Sequence, residues 1–268
     1  MARSIRGAMG TVSLILIAGS LVLMFFVVLS GVKRTTPLDK TYFLRATTSG
    51  VQGARPVSQW NYFYVCGEGN NDCGSPVPAL PFGYAWVGGG EGAPSGLLGS
   101  HGKGTTSKYY YYMWRFGWVF YLIALIANVM SFLTCLLAPC SRLASGISGF
   151  FVANALFWFT LAASLMTATF VKARDDFRSN GQDASIGRYA FGFTWGAWAA
   201  MFLATVFLFL GCGAGGSSSR KERRSTVING NGTTDREVSM FRRNRSKRSA
   251  RGSFIDNESQ RRVKDEYA

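Results

Sequence analysis

Tyr189-Ala190-Phe191-Gly192-Phe193-Thr194-Trp195-Gly196-Ala197-Trp198-Ala199-Ala200-Met201-Phe202-Leu203-Ala204-Thr205-Val206-Phe207-Leu208-Phe209-Leu210-Gly211-Cys212 contains no charged side chain. An α-helix rises about 1.5 Å per residue, so about 20 such residues cross the hydrocarbon core of a bilayer. Working outward from this block, three more of that length appear at residues 8–32, 114–137 and 146–171. None holds an Asp or Glu, and the only basic residue within their bounds is Arg115, near an end from which its side chain can reach the interface. A buried helix of a soluble protein can be as apolar, but four such blocks in 268 residues predict four transmembrane helices. The predicted fold is therefore an all-α membrane protein. It comprises a four-transmembrane-helix bundle at residues 1–216, a small disulfide-bearing, β-rich extracellular loop at 33–113, and a disordered cytoplasmic tail at 217–268.

The formal charge of +15 is unevenly placed. The tail holds 14 of the 29 Lys and Arg residues and 7 of the 14 acids, so it carries +7 by itself. Basic residues beside a hydrophobic span read as a topology signal and a lipid-surface contact. No aromatic-rich basic module accompanies them, so nucleic acid is not an expected partner. Arg3, Arg6, Arg142 and the tail face the cytoplasm on this reading, with both termini inside. Arg3 and Arg6 ahead of an apolar run could also open a signal peptide, but the run is longer than a signal core, which favours a retained span. Tyr109 to Tyr112, Trp114, Trp118, Tyr189, Trp195 and Trp198 gather where the second and fourth spans meet the outer interface.

Gly192, Gly196, Ala200 and Ala204 recur every four residues, a helix stripe that a neighbouring helix could approach closely. Asn128 and Asn154 lie at membrane depth, and each is expected to find a hydrogen-bond partner inside the bundle. With no ionisable group in a span core, a proton-coupled transporter is not expected.

In the loop, Cys66 and Cys73 flank Gly67-Glu68-Gly69-Asn70-Asn71-Asp72, residue types that suit a tight turn. Gln59 to Val65, with Trp60, Tyr62 and Tyr64, is rich in strand formers and leads into Gly67. Two cysteines and the single His101 cannot fill a zinc shell, so a disulfide closing the turn is expected in an oxidising exterior. Further strand candidates are residues 41–46 and 82–87, while the Gly-rich stretch 88–108 reads as flexible. Cys135, Cys140 and Cys212 read as free juxtamembrane thiols open to acylation.

Within the tail, Arg242, Arg243, Arg245, Lys247, Arg248 and Arg251 place six basic residues in ten positions. Such a run is expected to bind the anionic inner leaflet. Ser246, Ser249 and Ser253 interleave it, and their phosphorylation would weaken that attraction. Sequons begin at Asn231, Asn244 and Asn257, all in the tail, where a cytoplasmic location would leave them unglycosylated.

Trp60-x5-Cys66-x6-Cys73, followed by Pro78-Ala79-Leu80-Pro81-Phe82-Gly83-Tyr84-Ala85-Trp86 between the first two spans, resembles the fungal SUR-seven/PalI family, distant relatives of claudins. The tail stretches Arg251-Gly252-Ser253-Phe254-Ile255-Asp256 and Glu258-Ser259-Gln260-Arg261-Arg262-Val263 also resemble filamentous-fungal members. The resemblance implies a multi-pass plasma-membrane protein of eisosome-type cortical domains, affecting endocytosis, cell-wall organisation and stress response. The implied partners are cortical membrane or scaffold proteins, with a homo-oligomer possible. An accessory role in ambient-pH signalling, as in the PalI branch, is the alternative. An enzyme is not expected. Asp175-Asp176 follows Lys172 and Arg174 and reads as a solvated charge cluster, no nucleophile–base set appears, and no cofactor or metal is implied.

Overall fold

The computed structural model describes residues 2–136 and 142–213. Four long helices carry the chain: α1 Ala2–Val28, α2 Lys108–Cys135, α3 Arg142–Ser179 and α4 Arg188–Gly213. The stretches Gly7–Val28, Lys108–Cys135, Gly146–Ser179 and Arg188–Gly211 are long and apolar enough to cross a membrane. The chain is a multi-pass membrane protein.

Helix pairing follows from where small residues fall. α2 packs along α3, α1 along α4, and α3 also meets α4. Along α1 the buried positions include Ser13, Ile17, Ser20, Met24 and Val27, and along α4 they include Ala190, Thr194, Ala197, Met201, Ala204 and Leu208. Both sets recur at three- and four-residue spacing and mix small with large, which lets two backbones close together. The stripe expected on α4 is therefore displaced. Ala204 belongs to the buried face, but Gly192 has open space where a Cβ would stand, and Gly196 makes only ordinary contact with Leu23 at 3.5 Å. Regular four-residue spacing drifts around a helix of 3.6 residues per turn, so such a stripe leaves the packed face.

The glycine that sets a close helix approach lies instead on α2. A Cβ at Gly117 would come within 2.9 Å of Met166 on α3. Gly117→Leu is expected to push these helices apart and destabilise the protein by about 1–3 kcal/mol, read by thermal unfolding in detergent. Gly192→Leu, with open space around it, is expected to leave the melting temperature nearly unchanged.

Of the two span asparagines, Asn128 is fully buried and donates through Nδ2 to Ser20 Oγ at 2.8 Å, joining α2 to α1. Asn154 is exposed on α3 and pairs with no side chain among the described residues, contrary to the expectation of a bundle partner. Cys135 is a buried free thiol, so the expected access for acylation is lacking there. The side chains of Cys140 and Cys212 lie outside the described residues.

The α1–α2 connection folds into a small domain. Its antiparallel sheet has the order β3-β2-β1-β4, with β1 Leu44–Thr47, β2 Val57–Trp60, β3 Val65–Cys66 and β4 Ala184–Ile186. β4 comes from the α3–α4 connection, so this sheet ties the two loops together. Two local expectations are corrected, and α3 runs on past its apolar block. Residues 82–85 form a 3-10 turn after Pro81, not a strand, with Phe82 and Ala85 buried. The stretch 88–108 is fixed by turns, an His101–Thr106 bridge and the fully buried Leu97. Residues 172–179 continue α3 as helix, because Ala173 and Phe177 still face the core one turn apart.

Candidate functional site: the disulfide loop domain

β2 delivers Trp60 and the chain beyond it delivers Tyr62 into the seam between sheet and helices. Trp60 is 2% exposed, donates from Nε1 to the Phe82 carbonyl at 3.3 Å and packs its ring on Phe82 and Phe177. Tyr62 is fully buried among Phe63, Trp114, Trp118 and Tyr121, and its hydroxyl donates to the Trp118 carbonyl on α2 at 2.8 Å. Burial holds that hydroxyl well above the usual tyrosine range, so it stays a protonated donor at physiological pH. Tyr64 is only half-buried, beside Gly31 at the end of α1. Gly31 has a φ of 83° and leaves no room there for a Cβ, so the turn after α1 needs glycine.

Cys66 and Cys73 are joined in a disulfide. Gly67 is buried beside it and donates its N–H to the Asn71 carbonyl at 2.6 Å. The organising residue of this turn is Asn70, which is 2% exposed and held at a φ of 55°. Its N–H donates to Gln59 Oε1 at 2.9 Å, its Nδ2 donates to the carbonyls of Leu38 at 2.7 Å and Thr41 at 3.1 Å, and its Oδ1 accepts from Asn61 Nδ2 at 2.9 Å. Asn61 Nδ2 also reaches Cys66 Sγ at 3.2 Å. Asn70 thus ties the disulfide turn to β2 through its backbone N–H and to the segment before β1 through its side-chain amide. Sequence reading treats Asn70 as a turn former. Its placement between Gly69 and Asn71 is the only local hint, since Asn tolerates positive φ.

Charged groups ring this core without converging. Arg45 meets Glu68 at 2.8 Å and Asp183 at 3.7 Å, and Arg55 meets Asp72 at 2.9 Å, with the acids largely exposed. Such surface pairs contribute little. Asp176 is not free in solvent as expected, because Tyr110 on α2 donates its hydroxyl to Asp176 Oδ2 at 2.7 Å. Asp175 pairs with Arg174 at 2.7 Å. Lys172 lies 4.3 Å from the Tyr109 ring centroid, a further α3–α2 contact. An open cleft of about 590 Å³ lies beside Tyr84, Trp86 and Lys103. Among the described residues no three His, Cys, Asp or Glu side chains group as a metal site. The arrangement is a small sheet domain seated on the helix ends of a membrane bundle, held by the disulfide, the Asn70 amide and the Trp60 and Tyr62 rings.

The sequence profile of the SUR7/PalI family matches residues 9–207, a stretch that runs from α1 through the loop domain into α4. The chain belongs to the SUR7/PalI family. It is 30% identical to the protein SUR7 of Candida albicans, over 74% of this chain and 72% of that one. It is 31% identical to the SUR7 family protein FMP45 of Saccharomyces cerevisiae, over 70% of this chain and 63% of that one. An uncharacterized plasma membrane protein of Saccharomyces cerevisiae is 29% identical over 74% of this chain and 64% of its own length. The basic run Arg242, Arg243, Arg245, Lys247, Arg248 and Arg251, and Ser246, Ser249 and Ser253, lie outside the described residues.

The disulfide carries an expected outcome of its own. Cys66→Ser or Cys73→Ser opens a closed turn and leaves one thiol unpaired, Cys73 beside the Asn70 carbonyl or Cys66 beside Asn61, at a cost of about 2–3 kcal/mol. Thermal unfolding of the purified full-length protein should show the loss. The double Cys→Ser variant should melt close to either single one, because both lose the same link. A single variant that melts with wild type would mean the turn is held by Asn70 alone.

Proposed function

We propose that this SUR7/PalI protein acts at the plasma membrane as a structural organiser of cortical domains, with the loop domain outside and both termini in the cytoplasm. The observation that carries this reading is the knitting of the loop domain onto the helix ends through Trp60, Tyr62 and Phe82, which gives the bundle one fixed face. A fixed face suits lateral assembly and contact with neighbouring proteins, and the span cores offer no ionisable relay for transport. The disulfide supports an oxidising side for the loop, and the density of Lys and Arg supports a cytoplasmic tail. The plasma-membrane description of one relative supports the location. On this reading the six-residue basic run holds the tail to anionic lipid and to cortical scaffold proteins.

Imaging a fluorescently tagged copy in living fungal cells tests this. The full chain should form peripheral patches that stay fixed for minutes. A version with all six basic residues changed to Gln should reach the cell surface but hold its patches less firmly. Diffuse or internal signal for the unaltered chain would contradict the organiser reading.

A further inference from the structure

The face of α3 left uncovered by the bundle repeats every seven residues. Ile147, Asn154, Leu161 and Ala168 stand seven apart, and Phe150, Phe157 and Ser164 follow the first three by three positions. Ile147 is 46% exposed, Phe150 67% and Phe157 56%. Asn154, Ser164 and Ala168 are exposed as well, and Leu161 is half-buried. Val152, Ala155, Phe159, Ala162 and Met166, on the opposite face, are fully buried. The whole stripe lies within Gly146–Ser179 and carries no charge, so in a bilayer it meets lipid. Asn154 does not fit a lipid face. Its side chain has no partner among the described residues, and a polar group at membrane depth ordinarily turns inward to find one.

We propose that this face of α3 is the interface between two copies of this chain, with the two Asn154 amides hydrogen-bonded across the two-fold axis. An amide carries both donors and an acceptor, so an identical amide satisfies it. A second copy crosses the membrane in the same sense and presents Asn154 at the same depth, which an unrelated helix need not do. A two-fold interface needs a self-complementary surface, and a three-and-four apolar repeat is one. In paired helices of this repeat, a single Asn at the first heptad position fixes register and the two-stranded state. Phe150 and Phe157 would fill the spaces on either side of the amide pair. Ser164 and Ala168 would let the backbones approach farther along.

The test uses the full-length chain in phosphatidylcholine vesicles, with donor- and acceptor-labelled copies mixed over a range of protein-to-lipid ratios. Wild type should show concentration-dependent energy transfer. Asn154→Leu should weaken association roughly three- to tenfold, from the usual strength of one interhelical hydrogen bond in lipid, and Asn154→Gln should recover part of it. Since Asn154 has no hydrogen-bond partner among the described residues of its own bundle, Asn154→Leu should keep the wild-type melting temperature. In a background with Cys135, Cys140 and Cys212 as serine, Phe150→Cys or Phe157→Cys should cross-link two copies on oxidation, and Val152→Cys should not. Absence of energy transfer in wild type would overturn the proposal. So would equal association of Asn154→Leu, cross-linking only through another helix, or a lowered melting temperature for Asn154→Leu.

Discussion

Phe43→Ala should be among the most damaging single substitutions in the chain, lowering stability by about 3–5 kcal/mol. The residue is fully buried. Its ring stacks on Phe170 of α3 at 5.0 Å and meets Trp114 of α2 at 5.7 Å and Phe191 of α4 at 5.6 Å. Its backbone joins β2 and the link from β4 to α4, donating to the Trp60 carbonyl at 2.8 Å and accepting from Gly187 N–H at 3.0 Å. Truncation would open a cavity where three helices and the sheet meet, and none of the four can move in without losing other contacts. Thermal unfolding in detergent should show a much lower melting temperature than wild type. Tyr84→Ala, at a ring 37% exposed, should stay within about 0.5 kcal/mol of wild type. Equal effects at the two positions would mean that the loop domain is not seated on the helices.

Asn70→Ala should cost about 3 kcal/mol, although only a small side chain is removed. The amide serves the carbonyls of Leu38 and Thr41 and accepts from Asn61, and all of these groups lie in or near buried backbone. Removing it leaves them unpaired, and the penalty of a buried unpaired group exceeds the net worth of the bond lost. Alanine is also strained at the φ of 55° that Asn70 adopts. Asn70→Asp keeps an acceptor for Asn61 but turns a carboxylate oxygen toward the two carbonyls that need a donor, so it should be no more stable than Asn70→Ala. Proteolysis of the native protein should become faster near residues 66–73 in the alanine variant. Unchanged unfolding and proteolysis for Asn70→Ala would show that the disulfide alone fixes the turn.

The spans were legible because twenty uncharged apolar residues have one cheap arrangement in lipid, a helix, whatever the rest of the chain does. The disulfide was legible because few other uses exist for Cys66 and Cys73 at that spacing. What depends on partners from elsewhere in the chain was not. β4 is three residues long and exists by pairing with β1, more than a hundred residues away. Asn128 and Asn154 read alike, and only the packed bundle shows that one faces Ser20 and the other faces outward. The glycines of 88–108 suggested mobility. Gly92 in fact lies against the Gly50 backbone, so its missing side chain serves close packing rather than freedom. α3 outran its apolar block because Lys172 to Arg178 can sit at the membrane surface while Ala173 and Phe177 continue the buried stripe.

Sidedness underlies the whole functional account, and residue-by-residue labelling of intact cells measures it. In a background with the three other thiols replaced by serine, Glu91→Cys places an accessible thiol in the loop domain, and Ser259→Cys places one in the tail. A membrane-impermeant maleimide should modify Glu91→Cys in intact cells and Ser259→Cys only after permeabilisation. Modification of Ser259→Cys in intact cells, with Glu91→Cys protected, would invert the protein in the membrane and contradict the account.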